Sequence, residues 1–542
     1  MKANNLKKTT YFEITQIKLI ALVSLFLLLF DNYAFFVNLL KVYPFEENKG
    51  FVLSTAVTIY LLTTLFFTLI STRYTIKPLL ILVVLVSSMT NYFMNTYSVV
   101  IDDTMIRNAL QTDIHESMDL LSIKQLIYFI FLGLLPSYFI YKVKILKRSF
   151  KEEIFSRLKL IVTVFITLGA VFYLFSKSYT SFVREHKPLR YSVNPLYWIY
   201  SGGKYISKTF NSGEIEVQAI GLDAKRLPDA KDDRHKLVIM VVGEAARADH
   251  FSLNGYERDT NPFLSKDDVL NFSNVSSCGT ATAESVPCMF AIYPREDYNY
   301  KRGITTENAL DVLQHTKKIA ILWRDNNSDS KGVALRVNYE WYKYPNKNTI
   351  CEGIECRDEG MLIGLDDFIE KNKDKDILIV LHQMGNHGPA YYKRYPKEFE
   401  KFKPVCKTNQ LEECSQQEIA NAYDNAILYT DYFLDKVIHF LKKYDDRYDT
   451  AMFYMSDHGE SLGEDGVYLH GLPYFMAPDA QKHIGAMMWL GKGMQEKTDM
   501  EKLKSKLNQS YSQDNLFHTL LGIFHVQTSV YDKKLDVIEH KY

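Results

Sequence analysis

The sequence predicts two structural units, a bundle of five membrane-spanning helices followed by an α/β domain. Residues up to about 180 are dominated by long apolar runs, whereas the remainder has the mixed composition of a soluble domain. In that remainder, short apolar runs alternate with segments of helical periodicity. We therefore expect a transmembrane domain over 1–180, an interfacial helix and linker over 181–214, and a soluble domain over 215–542.

Each predicted span is close to the length that a helix needs to cross about 30 Å of hydrocarbon. The first apolar stretch is too long for a signal peptide and lacks a small-residue cleavage site, so it should remain in the protein. The five stretches are 17–40, 51–71, 79–100, 122–141 and 158–176.

The basic residues of the first half predict its orientation. They precede the first span, lie between the second and third, and are densest between the fourth and fifth. The intervening loops, 41–50 and 101–121, together carry several acidic residues and few basic ones. A cytoplasmic N-terminus places every basic segment on one side, and five spans then deliver the second half outside the membrane.

All six cysteines lie in the second half, in three pairs of short spacing. They are Cys278, Cys288, Cys351, Cys356, Cys406 and Cys414. An even number grouped in this way predicts three local disulfides, which persist in oxidising compartments. Buried free thiols are the alternative, and the spacing does not match a zinc ribbon. The cysteines and the basic loops thus agree on an extracytoplasmic second half.

Some polar residues of the first half are not explained by anchoring alone. Asp31 and Asn32 lie within the first apolar stretch, where they either have a function or mark the outer end of the span. In the loop 101–121, Asn108, Thr112 and Glu116 share one helical face, and spacing alone favours a solvated face. The segment 188–207 is rich in Tyr and Trp and suits a membrane interface.

The second half predicts a parallel sheet with helices on both faces. Buried strands are expected at 236–242, 318–323, 376–382 and 450–456, and helices at 306–316, 360–372 and 416–443. Ligands of such sheets bind beyond the carboxyl ends of the strands, where Asp, Glu and His accumulate in this sequence. These side chains are Glu244, His382, His387, Asp457, His458 and His470. Their ligand chemistry is that of zinc, although any one alone would be a capping or core residue.

The segment SSCGTATAESVPCMF provides candidate nucleophiles before an apolar, helical run. A helix N-terminus stabilises both an alkoxide and a phosphate, and a metal ion would lower the pKa of the hydroxyl further. Thr280 and Thr282 both qualify, and both could instead be helix caps. A bridge between Cys278 and Cys288 would hold this loop rigid in either case.

Five motifs, in order, closely resemble the phosphoethanolamine transferases that modify lipid A, which include the transferable colistin-resistance enzymes. These motifs are SCGTATAESVPCMF, WRDNNSDSKG, HQMGNHGPAYYKRYP, SDHGESLGE and YLHGLPY. The resemblance covers the whole chain and implies five N-terminal spans with a periplasmic domain of the alkaline-phosphatase/sulfatase type. It also implies a bacterial inner-membrane location, and we expect a monomer.

The resemblance implies a role for individual residues. The nucleophile would be Thr282, which would also complete a zinc site made by Glu244, Asp457 and His458. One zinc ion would be tightly bound, with a second during turnover. Substrate-binding positions would be Asn108, Thr112, Glu116, Ser328, Lys331, His387 and His470, which replaces the solvated-face interpretation of the loop 101–121.

The implied reaction moves phosphoethanolamine from phosphatidylethanolamine to lipid A or a related glycolipid through a covalent threonine intermediate. The added cation would confer resistance to polymyxin. A phosphoglycerol transferase of the lipoteichoic-acid-synthase type is the alternative enzyme. A sulfatase is disfavoured because the sequence lacks the C-x-P-x-R signature of its modified cysteine: Cys288 is followed by MFAIYPR. A catalytically dead membrane sensor would require loss of Thr282, Glu244, Asp457 or His458, and all four are present. Zero net charge gives no indication of a nucleic-acid partner.

Overall fold

The structure is a computed structural model that describes residues 13–111, 120–210, 216–229, 234–353 and 355–541. The chain divides into two compact units. The first comprises Met1–Ile106 and Leu121–Ile206, and the second comprises Arg107–Leu120 and Ser207–Tyr542.

The first unit contains the apolar helices that the sequence predicts. Among the described residues, four helices are long and apolar enough to cross a membrane, and a bent pair raises the number to five if it forms one span. The four are Phe45–Ile70, Ile76–Tyr97, Ile123–Lys142 and Phe150–Leu174, and the bent pair is Gln16–Phe30 with Tyr33–Val42. Further helices are Asp103–Gln111, Ser176–Glu185 and Leu196–Phe210. The last of these overlaps the predicted interfacial segment.

Asp31 and Asn32 occupy the break of the bent pair, where the helix axis turns by 57°. Both are buried, and Asn91 donates a hydrogen bond of 3.0 Å to Asp31 Oδ1. Asn32 donates to the carbonyl oxygens of Leu27 and Asn194 at 2.9 and 2.6 Å. Backbone groups within hydrocarbon must be satisfied internally, and the Asn32 side chain does this for two carbonyl oxygens at the bend.

The second unit is built on one sheet of eight strands. In spatial order the strands are Tyr511–Ser512, Leu270–Ser276, His483–Leu490, Asp449–Ser456, Lys236–Gly243, Asp376–His382, Ile319–Asp325 and Asn338–Trp341. The four predicted strands are neighbours at its centre and run parallel. The parallel arrangement expected for these four strands is confirmed, and the sheet also contains the strand His483–Leu490, which pairs antiparallel with the strands on both sides of it.

Helices cover both faces of this sheet. Along the strand Lys236–Gly243, Val238, Met240 and Val242 enter one hydrophobic core, while Leu237, Ile239 and Val241 enter a second core on the other face. The helices of this unit are Thr282–Met289, Tyr300–Thr305, Ala309–His315, Leu365–Lys371, Gln416–Lys442, Lys492–Glu496, Met500–Ser505 and Asn515–Ile523. The predicted α/β/α architecture is confirmed.

Three disulfides stabilise loops of the second unit. They join Cys278 to Cys288, Cys351 to Cys356, and Cys406 to Cys414. The prediction of three local bridges is therefore confirmed.

Candidate active site

Two adjacent parallel strands place three acidic and imidazole side chains at one edge of the sheet. Glu244 follows the strand Lys236–Gly243, and Asp457 and His458 follow the neighbouring strand Asp449–Ser456. The register pairs Ser456 with Gly243, so these side chains begin at the same level of the sheet. All three are completely buried.

The hydroxyl of Thr282 completes this cluster. Its Oγ1 atom lies 3.1 Å from Glu244 Oε2 and 3.3 Å from His458 Nε2. His458 Nε2 in turn lies 3.4 Å from both Glu244 Oε1 and Asp457 Oδ2. Oxygen and nitrogen donors from four residues thus converge on one point.

The chemistry of these donors fits a zinc ion. Within the described part of the chain, no group donates a hydrogen bond to Glu244 Oε1 or Asp457 Oδ2, although both atoms are buried. His458 Nδ1 lies 2.8 Å from the Gly459 carbonyl oxygen, which can only accept, so the proton sits on Nδ1 and Nε2 keeps its lone pair. Glu244, Asp457 and His458 form a group whose ligand atoms lie within 4.8 Å of one another. Carboxylate oxygen and imidazole nitrogen are ligands that zinc prefers.

Electrostatics also favour a cation at this point. Burial, together with the nearby carboxylate of Asp457, raises the pKa of Glu244 to about 7. The imidazoles of His387 and His470 oppose this increase. Two buried carboxylates repel each other when both are ionised, and a divalent ion would remove that cost.

The two candidate threonines have different surroundings. The Thr280 hydroxyl donates a hydrogen bond of 2.6 Å to the Leu472 carbonyl oxygen and so faces a loop. Thr282 is the first residue of the helix Thr282–Met289, and Ala281 occupies the N-cap position without a side-chain cap. Neither threonine hydroxyl therefore acts as the helix cap, and of the two only that of Thr282 faces the donor cluster.

His470 and His387 lie beside the cluster. The ring of His470 is 4.2 Å from that of His458 and 6.1 Å from that of His387, measured between centroids. His387 belongs to the loop that follows the strand Asp376–His382. In this loop, the backbone N–H groups of Met384 and Gly385 donate to the buried carboxylate of Asp358 at 2.8 and 3.1 Å. The ring of His470 is thus a neighbour of both His458 and His387.

Ser328 and Lys331 lie on a turn after the strand Ile319–Asp325. Lys331 Nζ donates to the Ser328 carbonyl oxygen at 2.9 Å, and Lys331 itself has a left-handed backbone with φ of 49°. The adjacent Asn327 donates from Nδ2 to Glu244 Oε2 at 2.9 Å and to the Gln383 carbonyl oxygen at 2.8 Å. Asn327 therefore connects this turn to the metal-ligand cluster.

His382, the remaining strand-end histidine, belongs to the buried interior. Its Nδ1 atom lies 3.0 Å from Asp325 Oδ2, which also accepts a hydrogen bond from the indole of Trp323 at 2.9 Å. Burial opposes protonation of His382, but the carboxylate of Asp325 outweighs it and raises the pKa of the imidazole. This pair organises the turn that begins at Asp325, because the same carboxylate accepts from the backbone N–H of Asn327.

Sequence reasoning missed several residues that support the cluster. Gln513 donates to the carbonyl oxygens of Ser456 and Asp457 at 2.8 and 2.7 Å and accepts from the Cys278 backbone at 2.6 Å. Asn327 was also missed, although its position directly before Ser328 in NNSDSKG gave a signal. Of the predicted loop residues, Asn108 lies on the helix Asp103–Gln111, while Thr112 and Glu116 lie outside the described residues.

The fold and the cluster define a class of protein, a membrane-attached enzyme with an α/β domain of the sulfatase and alkaline-phosphatase type. The family described as Sulfatase matches residues 236–526, and the family described as Phosphoethanolamine transferase EptA/EptB matches residues 59–210. The chain belongs to the EptA/EptB phosphoethanolamine transferase family.

Three relatives illustrate the similarity. The phosphatidylethanolamine transferase Mcr-1 of Escherichia coli is 47% identical over 484 residues, which cover 88% of this chain and 89% of the relative. The solved structure of the integral membrane protein lipooligosaccharide phosphoethanolamine transferase A from Neisseria meningitidis is 34% identical. It covers 97% of this chain and 99% of its own, with a TM-score of 0.93. The C-terminal periplasmic domain of phosphoethanolamine transferase EptC from Campylobacter jejuni is 44% identical, covers 60% of this chain and 97% of its own, and has a TM-score of 0.53.

Proposed function

We propose that this chain transfers phosphoethanolamine from phosphatidylethanolamine to lipid A, and that Thr282 carries the group between the two lipids. The observation that carries this proposal is the position of the Thr282 hydroxyl, within 3.3 Å of both Glu244 and His458 in a buried cluster. Membership of the phosphoethanolamine transferase family supports the transferred group. The name of the relative Mcr-1 supports phosphatidylethanolamine as the donor.

Glu244, Asp457, His458 and Thr282 would hold one zinc ion. Bound there, zinc supplies a Lewis acid that lowers the pKa of the hydroxyl and neutralises charge on the phosphoryl oxygens. The two unbonded carboxylate oxygens and the free lone pair of His458 Nε2 support this assignment. A second ion during turnover would need the imidazoles of His387 and His470, which lie next to the cluster.

In the first half-reaction, Thr282 Oγ1 attacks the phosphorus of phosphatidylethanolamine. The new Oγ1–P bond forms as the P–O bond to diacylglycerol breaks, and the hydroxyl proton of Thr282 is finally carried by the diacylglycerol oxygen. Thr282 is the first residue of a helix whose backbone N–H groups favour negative charge on the bound phosphoryl group. Lys331, on the turn that Asn327 connects to Glu244, adds a positive charge near the transferred group.

In the second half-reaction, an oxygen of the acceptor attacks the same phosphorus and the Oγ1–P bond breaks. Thr282 Oγ1 takes up the proton that the attacking hydroxyl of the acceptor loses, so the enzyme returns to its starting state. A lipid A phosphate is the acceptor that we propose, and addition of an ethanolamine cation to it weakens binding of polymyxin and other cationic peptides.

The location of the reaction follows from the helices and the disulfides. We place the chain in the bacterial inner membrane as a monomer, with a cytoplasmic N-terminus and a periplasmic catalytic domain. Apolar helices suited to spanning and three disulfides in the second unit support this orientation. A phosphoglycerol transferase is disfavoured because the N-terminal half matches the phosphoethanolamine transferase family.

The test is intact-protein mass spectrometry of the full chain after incubation with phosphatidylethanolamine. The wild type should gain one phosphoethanolamine group on Thr282, and the Thr282→Ala variant should gain none and transfer none to lipid A. Thr280→Ala is the matched control, because it removes the neighbouring hydroxyl and should retain the adduct. An adduct on any other residue, or full transfer by Thr282→Ala, contradicts the proposal.

A further inference from the structure

Glu460 is a completely buried carboxylate three residues after Asp457. Its backbone is held on both sides, since its N–H donates to the Ala480 carbonyl oxygen at 2.8 Å and its own carbonyl accepts from Arg247 Nη1 at 3.2 Å. Burial of a carboxylate is costly unless a partner compensates it. The backbone contacts do not offset the cost of burying the Glu460 carboxylate, so its side chain must have a partner of its own.

The side chain of Glu460 faces His470. Glu460 Oε2 lies 3.1 Å from His470 Nδ1. This contact engages the Nδ1 side of the imidazole ring. The other ring nitrogen, Nε2, is then the atom that His470 offers to the site, as in histidines whose second nitrogen is fixed by a carboxylate.

The backbone around His470 is also constrained. Leu469 adopts a left-handed conformation with φ of 63°, which costs free energy for a residue with a branched side chain. The Leu469 carbonyl oxygen accepts from Gln481 Nε2 at 3.1 Å, and Leu469 pairs with Ser461 in a short antiparallel ladder. On the other side, the Gly471 N–H donates to the Thr280 carbonyl oxygen at 2.7 Å. Main-chain contacts thus fix the backbone of His470, and the contact with Glu460 orients its ring.

We propose that Glu460 is a positioning residue, which acts on the reaction only by fixing the ring orientation of His470. This inference rests on the proposed function, because it assigns His470 to the phosphoethanolamine transfer. The ring of His470 lies 4.2 Å from that of His458, beside the cluster that contains Thr282. Without the carboxylate, the imidazole could rotate, and this rotation would turn the wrong atom of the ring toward the substrate.

The experiment is a double-mutant cycle on the full-length enzyme with phosphatidylethanolamine as donor and lipid A as acceptor. Glu460→Ala should lower kcat about 10- to 100-fold, as loss of an outer partner of an active-site histidine does, with KM changed less than about threefold. The pair Glu460→Ala/His470→Ala should be no slower than His470→Ala alone, because the first change acts through the second residue. Glu460→Gln keeps an acceptor oxygen and should recover at least half of the lost activity on a logarithmic scale.

Controls separate positioning from simple loss of structure. Glu464→Gln alters a carboxylate of the same segment that pairs with Arg247, and it should leave kcat within about twofold of the wild type. Multiplicative losses in the double variant, or equal losses with Glu460→Gln and Glu460→Ala, overturn the proposal. If Glu460→Ala does not fold, a wild-type rate in Glu460→Gln supports the proposal and a rate as low as that of His470→Ala overturns it. A wild type that forms no adduct on Thr282 would instead contradict the proposed function.

Discussion

The hydroxyl of Thr280 donates a hydrogen bond of 2.6 Å to the carbonyl oxygen of Leu472. The Thr280 carbonyl oxygen in turn accepts from the N–H of Gly471 at 2.7 Å. These two hydrogen bonds tie the segment before Thr282 to the loop that carries His470. The helix that begins at Thr282 and the loop that carries His470 therefore share one anchor point.

Thr280→Val should destabilise the protein without preventing covalent labelling of Thr282. Loss of the hydroxyl leaves the buried Leu472 carbonyl oxygen without its donor, which costs about 1–3 kcal/mol. Thermal unfolding of the full chain in detergent should show a lower Tm, and Thr280→Ser should restore most of it. A Tm equal to that of the wild type in Thr280→Val would show that this hydrogen bond contributes nothing.

The choice between Thr280 and Thr282 illustrates what the residue pattern alone can and cannot predict. Both hydroxyls precede the same helix, and the pattern cannot say that Thr280 meets Leu472, 192 positions further along the chain. The same limit applies to Gln513, whose side chain reaches Ser285 across 228 positions. Such contacts depend on how the whole sheet is assembled, and a local pattern contains no information about them.

Features that depend on local periodicity were predictable. The central strands are continuous apolar runs because both of their faces are buried, so their sequence shows them directly. The strand-end positions of Glu244, Asp457 and His458 were predictable, because the carboxyl ends of parallel strands meet at one edge of a sheet. The antiparallel strand His483–Leu490 was not predicted, because apolar character does not show the direction in which a strand runs.

Removal of the proposed metal ligands should abolish zinc binding. Glu244→Gln and Asp457→Asn each replace a charged oxygen donor, so metal analysis of the purified variants should find less zinc than in the wild type. Chelation of the wild type should lower its Tm. Added zinc at about 100 times its Kd should restore about 2.7 kcal/mol of the free energy of unfolding. Glu340→Gln, which changes a carboxylate paired with Arg324, is the control and should retain zinc. Equal zinc content in all variants would contradict the ligand assignment.

Ala245, directly after Glu244, should tolerate glycine but not a branched residue. Its φ of 53° is left-handed, its N–H donates to Asp457 Oδ1 at 3.1 Å, and its carbonyl oxygen accepts from the Tyr423 hydroxyl at 2.6 Å. Glycine adopts this conformation freely, so Ala245→Gly should stay within about 1 kcal/mol of the wild type. Ala245→Val should lower both Tm and bound zinc, because relief of the strain displaces Glu244. Normal zinc content and Tm in Ala245→Val would show that the backbone here is not constrained.

Asp431 should make the stability of the protein depend on pH. This carboxyl on the helix Gln416–Lys442 is completely buried, and its oxygens accept from the N–H groups of Phe263 and Leu264 at 2.8 and 3.3 Å and from Asn261 Nδ2 at 3.3 Å. Burial raises its pKa from 3.8 to about 7, the hydrogen bonds oppose this change, and the nearby carboxylate of Asp435 adds to it.

The sign follows from the higher pKa in the folded state. Below about pH 4, Asp431 is protonated in both the folded and the unfolded state, so its contribution to the free energy of unfolding is fully present. This contribution is lost as the pH rises to about 7, at about 1.4 kcal/mol per pH unit. Asp431→Asn cannot ionise, so its Tm should fall less than that of the wild type between pH 4 and pH 7. The exposed Asp446→Asn is the control and should follow the wild-type curve. Parallel Tm curves for Asp431→Asn and the wild type would show that Asp431 does not take up a proton on folding in this range.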